Sequence, residues 1–155
     1  MYLAFKTMHL LSVAIFLGNI ITGIFWKAHA DRTGDPRLMA HALDGIIRSD
    51  RWFTMPGVFG ILVFGVLTAL VGHLPLLRTP WILQGIVLFS LSGIAFGTQV
   101  APLQVRLRAL AQAAASGGEW DKAQYHRLSR RWELWGLFAI VAPLAAFALM
   151  VFKPS

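Results

Sequence analysis

Four runs of about twenty mostly apolar residues constrain this chain more than any other feature, since about twenty is the length that crosses a bilayer as a helix. They cover residues 2–26, 52–72, 80–100 and 132–152. A soluble core cannot hide so much apolar surface in 155 residues, of which 57% are hydrophobic and only 14% charged. A soluble domain carries about 25% charged residues, so the surplus here must face lipid. Each run is continuous and lacks period-two alternation, which predicts helices rather than barrel strands. Trp26, Trp52, Trp81, Trp132 and Trp135 mark run ends, at the depth where indole rings meet headgroups. The expected fold is therefore all-α: an integral membrane four-helix bundle, with residues 1–155 as one transmembrane domain. The N-terminus lacks the basic start and small-residue cleavage site of a secretory signal, so the first run is read as a retained helix.

The charges sort by loop. Residues 27–51 hold five basic side chains (Lys27, Arg32, Arg37, Arg48 and Arg51). Residues 106–131 hold six (Arg106, Arg108, Lys122, Arg127, Arg130 and Arg131). The other side of the membrane has only Lys6, Arg78 and Lys153. The positive-inside rule then predicts both long loops in the cytoplasm and both termini on the periplasmic side of a bacterial inner membrane. This asymmetry accounts for the net charge of +7 without a nucleic-acid partner. Thr33-Gly34-Asp35-Pro36 is a turn signal, and residues 37–48 then read as a short interfacial helix. Leu103, Leu107 and Leu110 continue the third helix beyond its membrane part, and Ser116-Gly117-Gly118 ends it. Pro56 and Pro143 are expected to kink their helices.

With no cysteine, thiolate metal sites, iron–sulfur clusters and c-type haem attachment are excluded. Carboxylates are scarce, and phosphate loops and nucleophile elbows are missing. The five histidines are the remaining ligands. His9 lies inside the first run, and His9, Ser12, Phe16, Asn19 and Gly23 share one helical face. An imidazole inside a span either ligates or hydrogen-bonds a neighbouring helix, and a neutral imidazole is a good haem ligand. His73 follows the second run at the same membrane face. It is either a second axial ligand or a solvated loop residue. His29 lies roughly 30 Å along the helix from His9, so the two cannot share a metal. His29 and His126 are weighed as a second site against simple solvation, and His41 is read as loop. Gln84, Leu88, Ser92, Ala95 and Gln99 share a face of the third helix. Gln84 and Gln99 are expected to hydrogen-bond across helices. Glu133 is expected to pair with Arg130 and Arg131 at the interface.

Lys6-Thr7-Met8-His9, the apolar run to His29-Ala30-Asp31, Thr54-Met55-Pro56 with Phe64-Gly65, and Arg130-Arg131-Trp132-Glu133 with Lys153-Pro154 distantly resemble the HemJ-type protoporphyrinogen oxidases. That resemblance implies haem b bound through His9. It stops short at three places: those oxidases have tryptophan where Phe16 stands, a Pro-Arg pair within 20–23, and a lysine where Gln84-Gly85 stand. The His9 region, the stretch from Arg48-Ser49-Asp50 to Pro56, and Tyr125-His126-Arg127 to Trp132 are similar to a closer set. These are bacterial four-helix membrane proteins of unknown function (DUF2269-like). The reading that follows is a lipid-embedded haem b protein with a redox role, in electron transfer or chemistry on a porphyrin. His9 and His73 are its cofactor-binding residues and His9 ligates the iron. A redox partner and self-association through glycine-bearing helix faces are further expectations. A cofactor-free membrane subunit or assembly factor is the rival.

Overall fold

The structure, a computed structural model, describes residues 1–153. Pro154, part of the terminal resemblance, lies outside them. Four long helices make up the molecule: α1 (Tyr2–Thr33), α2 (Pro36–Val71), α3 (Pro80–Ala115) and α4 (Lys122–Phe152). All four are long and apolar enough to cross a membrane. Each predicted run falls, to within a residue, inside one of them. The helices overrun the membrane at the end that carries the two basic loops, called the basic end below; the opposite end carries the termini.

The turn between α1 and α2 follows from its residues. Gly34 takes a left-handed conformation, φ 67°, and its N–H reaches the Asp31 carbonyl at 3.2 Å. Glycine has no Cβ to clash there. Asp35 then caps α2 by accepting the Arg37 N–H at 2.9 Å, and Pro36 fills the first turn. The helix begun at Pro36 does not lie apart as an interfacial segment. It runs unbroken into the second span, so residues 37–48 and the supposed loop histidine His41 belong to a 36-residue helix. The reason lies in its apolar stripe. Met39, Leu43 and Ile46 are buried, and Met39 and Leu43 pack in one core with Leu103, Leu107 and Ala111 of α3. This contact holds the segment upright.

α2 and α3 each contain one wide turn of π type, Asp50–Thr54 and Phe96–Val100. In them the Met55 N–H reaches back five residues to the Asp50 carbonyl, and the Ala101 N–H to Phe96. Pro56 and Pro102 stand immediately after. A proline ring clashes with the carbonyl four residues before it, and a widened turn relieves that clash. Pro143 has no such turn and sits buried within an unbroken α4.

Burial is reversed between the two ends. At the basic end Leu43, Leu107, Ala111 and Tyr125 are wholly buried. Along the membrane part, Leu3, Ile15, Phe59, Leu62, Ile94, Leu134 and Leu137 are exposed, as lipid-facing residues should be. Helices there meet through small residues. Cβ atoms built on Gly57 and Gly60 would lie 3.1 Å from Phe16 Cβ and 2.3 Å from Ser12 Oγ of α1. The Ser92 hydroxyl donates to the Ala139 carbonyl of α4 at 2.6 Å. In this half, among the described residues, Met55–Val71 makes close backbone approach only to α1 and the wide turn before it, and Pro80–Ala95 only to α4 and the wide turn after it. The bundle is thus two helix pairs, joined at the basic end and bridged further up by the edge contact of Phe16 with Phe89 at 5.6 Å.

Candidate functional site

Three polar positions interrupt the apolar bundle. The outermost is His9. As the shared-face reading expects, α1 turns Ser12 and Phe16 fully inward, and His9, Asn19 and Gly23 are half-buried beside them. His9 lies over Gly65 of α2, where a Cβ would come within 3.1 Å of the imidazole. Its Nδ1 is 3.0 Å from the Ile61 carbonyl. A carbonyl only accepts, so Nδ1 carries the proton. In the neutral ring Nε2 is then the bare nitrogen. Among the described residues no hydrogen-bond partner is found for Nε2, and it is not among the buried unpaired atoms.

His73 stands in the turn after α2, exposed, with φ 51°. The structure shows no contact between it and His9. His29 stacks on Phe25, its ring centroid 6.3 Å away, and meets Trp26 edge-on. His126 lies edge-on to Tyr125, and His41 is exposed on α2. Among the described residues no group of three or more His, Asp or Glu side chains converges to hold a metal ion.

The second polar layer was not anticipated as a site. Asp50, at the start of the wide turn in α2, is 9% exposed. It accepts from Asn19 Nδ2 of α1 at 3.1 Å, from its own helix's Thr54 Oγ1 at 2.8 Å, and from Gln104 Nε2 of α3 at 3.1 Å. No Lys, Arg or His among the described residues lies within ion-pair distance of it. The cross-helix glutamine is therefore Gln104; Gln84 is exposed, and Gln99 makes no cross-helix hydrogen bond among the described residues.

The third layer is about 12 Å further toward the basic end, two turns beyond Asn19 on α1. Lys27 is 1% exposed there. Its ammonium contacts Asp31 Oδ2 at 2.5 Å, the Ser129 hydroxyl, and Glu133 Oε1 at 3.6 Å. It also lies 5.0 Å from the centroid of the Trp132 ring. The Tyr125 hydroxyl donates to Asp31 Oδ1 at 2.7 Å. Lys27, counted by sequence among the loop cations, is thus an ion-pair centre between α1 and α4. Glu133 faces it rather than Arg130 and Arg131. The signal lay in the sequence: Lys27 and Asp31 are four residues apart, and so are Ser129 and Glu133. Each pair shares a helix face.

Over residues 3–154 the chain matches the model of a family described as a predicted integral membrane protein (DUF2269). The chain belongs to this family. Neither the curated proteins nor the solved structures include a match. The family description agrees with the four membrane-length helices and names no activity or ligand.

Proposed function

We propose that this member of the family is a haem b protein with a redox role in the membrane, carried by His9. One observation supports the reading above others. The Ile61 carbonyl fixes the His9 tautomer so that Nε2, the nitrogen that would ligate, is bare and has no hydrogen-bond partner among the described residues. An imidazole whose Nδ1–H is held by a backbone carbonyl is the arrangement that orients axial ligands and raises their basicity. His9 would hold the iron, and the exposed His73 is the proposed second ligand. The group would supply one-electron chemistry, and electron transfer is the activity we infer. The chain's own part is to orient the imidazole and keep it in an apolar surround. The hydrogen bond of His9 Nδ1 to the Ile61 carbonyl and the packing of its ring over Gly65 also suit the second reading, a cofactor-free membrane subunit, because they tie the histidine to the neighbouring helix without a ligand.

The absorption spectrum of protein purified in detergent after haem-replete expression separates the two. A Soret band that shifts on reduction and is lost in His9→Ala, with the protein still in the membrane, is the expected result. In His73→Ala a change from six- to five-coordinate spectra would identify the second ligand. A colourless wild-type protein, or an unaltered spectrum in His9→Ala, overturns the haem reading. We further propose that the membrane is the bacterial inner membrane, with the basic end in the cytoplasm and the termini outside it. The eleven basic residues of the two connecting segments support that orientation.

A further inference from the structure

Between the Asp50 layer and Trp132 is a partly open, mostly apolar cavity of about 20 Å³. It is lined by Asn19, Asp50, Gln104 and Trp132, and by Phe96 and Val100 of the wide turn in α3. A cavity of roughly 10–15 Å³ already holds one water, provided polar partners are present. Here Asn19, Asp50, Gln104 and Trp132 are the polar residues among otherwise apolar walls. The Trp132 indole is 3% exposed, and its Nε1–H is buried without a partner. Leaving a buried N–H unpaired is costly, so it calls for an acceptor. Among the described residues no acceptor is found, and Trp132 lines this cavity, where a water could serve. Both wide turns meet here, since Asp50 opens one and Phe96 the other. Such turns shift side chains out of helical register, and they recur at functional sites.

The carboxyl of Asp50 is unusual in its company. Asn19, Thr54 and Gln104 donate to it, and all three are neutral. The charges on every neighbouring element are committed elsewhere or turned outward. On α1, Lys27 is bound to Asp31. On α2, Arg48 is bound to Asp44 and Arg51 is exposed. On α3, Arg108 is bound to Asp44 and Arg106 is exposed. On α4, Glu133 faces Lys27 while Arg130 and Arg131 are exposed. Burial without a counter-ion favours the neutral acid, and three donated hydrogen bonds favour the anion. Two opposed effects on one group allow both protonation states. A permanent structural charge would be expected to have a cation.

We propose that this is a proton-exchange site: a cavity water bridges the Trp132 indole and the Asp50 cluster, and Asp50 takes up and releases a proton through it. Uptake converts the carboxylate to the carboxylic acid with the proton on one oxygen. Release returns that proton to the water. The site is independent of His9 and of any haem.

Infrared spectra of the purified protein, recorded in H₂O and D₂O between about pH 5 and 9, test this directly. The expected result is a carboxylic-acid carbonyl band that disappears as pH rises, shifts in D₂O, and is missing from Asp50→Asn. Trp132 fluorescence should follow the same titration and be silent in Trp132→Phe. If Asp50→Asn fails to accumulate, Asp50→Glu serves instead, and its band should titrate at a displaced midpoint. A carboxyl that stays in one state throughout the range, or a titrating band that survives Asp50→Asn, overturns the proposal. So does a titration that moves in neither Asp50→Asn nor Asp50→Glu.

Discussion

Lys27 and Glu133 touch the same ionic cluster, yet they should respond very differently to substitution. Lys27 is buried at the centre, and removing it strips Asp31 of its cation. Breaking a buried pair in this way costs about 3–5 kcal/mol, and the lower figure suits Asp31, which keeps some access to water. Lys27→Met should therefore unfold about 3 kcal/mol more easily in a denaturant titration in mixed micelles. The Glu133 side chain is 58% exposed and 3.6 Å from the ammonium. Glu133→Gln should change stability by only about 0–1 kcal/mol in the same assay. A loss as large as that of Lys27→Met would show Glu133 to be the principal counter-ion. Sequence reasoning made Lys27 a loop cation because it follows Trp26, a plausible membrane boundary. Its partners Ser129 and Glu133 lie more than a hundred residues away; the four-residue spacings of Lys27 with Asp31 and of Ser129 with Glu133 mark a polar face on each helix but not that the two faces meet. Asp50 was hidden in the same way among Arg48 and Arg51. The polar face of α1 was legible because residues three and four apart declare themselves along a single helix.

Helices were predicted as spans of about twenty residues and found at 31 to 36. Hydropathy reads what lipid requires, and it falls silent where a helix continues into water. The Leu103, Leu107, Leu110 repeat betrayed the extension of α3. The matching stripe on α2 is interleaved with Arg37, His41, Asp44 and Arg48, and a stretch so charged after a turn signal reads as a separate interfacial helix. Its core residue Leu43 is completely buried. Leu43→Ala should cost about 2–5 kcal/mol, the usual range for emptying a buried leucine site. Hydrogen exchange should quicken in Pro36–Ser49 and Ala101–Ala115 together, leaving Pro80–Ala95 protected. Acceleration confined to one segment would contradict their packing as a unit. In the membrane half the sensitive positions are glycines. Gly60→Ala places a methyl 2.3 Å from Ser12 Oγ and 3.0 Å from its Cβ. Overpacking of this kind costs about 1–3 kcal/mol, and Ser12→Gly in the same chain should recover most of it in the micelle titration.

For the whole molecule, four crossings place both termini on one side and both basic connections on the other. The sign of that arrangement is read from charge, and reporters fused at the two ends test it. Both fusions should be active only in forms that work in the periplasm. A reporter after Ser155 that works only in the cytoplasm would invert the proposed orientation. Replacing the basic residues of one connection alone should weaken the bias without splitting the termini, since an even number of crossings ties them together. The two helix pairs are clamped at the basic end by packed leucines, the Lys27 cluster and the Asp50 cluster. Toward the termini they are bridged by the edges of Phe16 and Phe89. The molecule is therefore built like tongs held at the handle. The spacing of the two pairs near the termini should respond to acyl-chain length and to the choice of detergent more than their spacing at the basic end, which distances between spin labels on α2 and α3 would record.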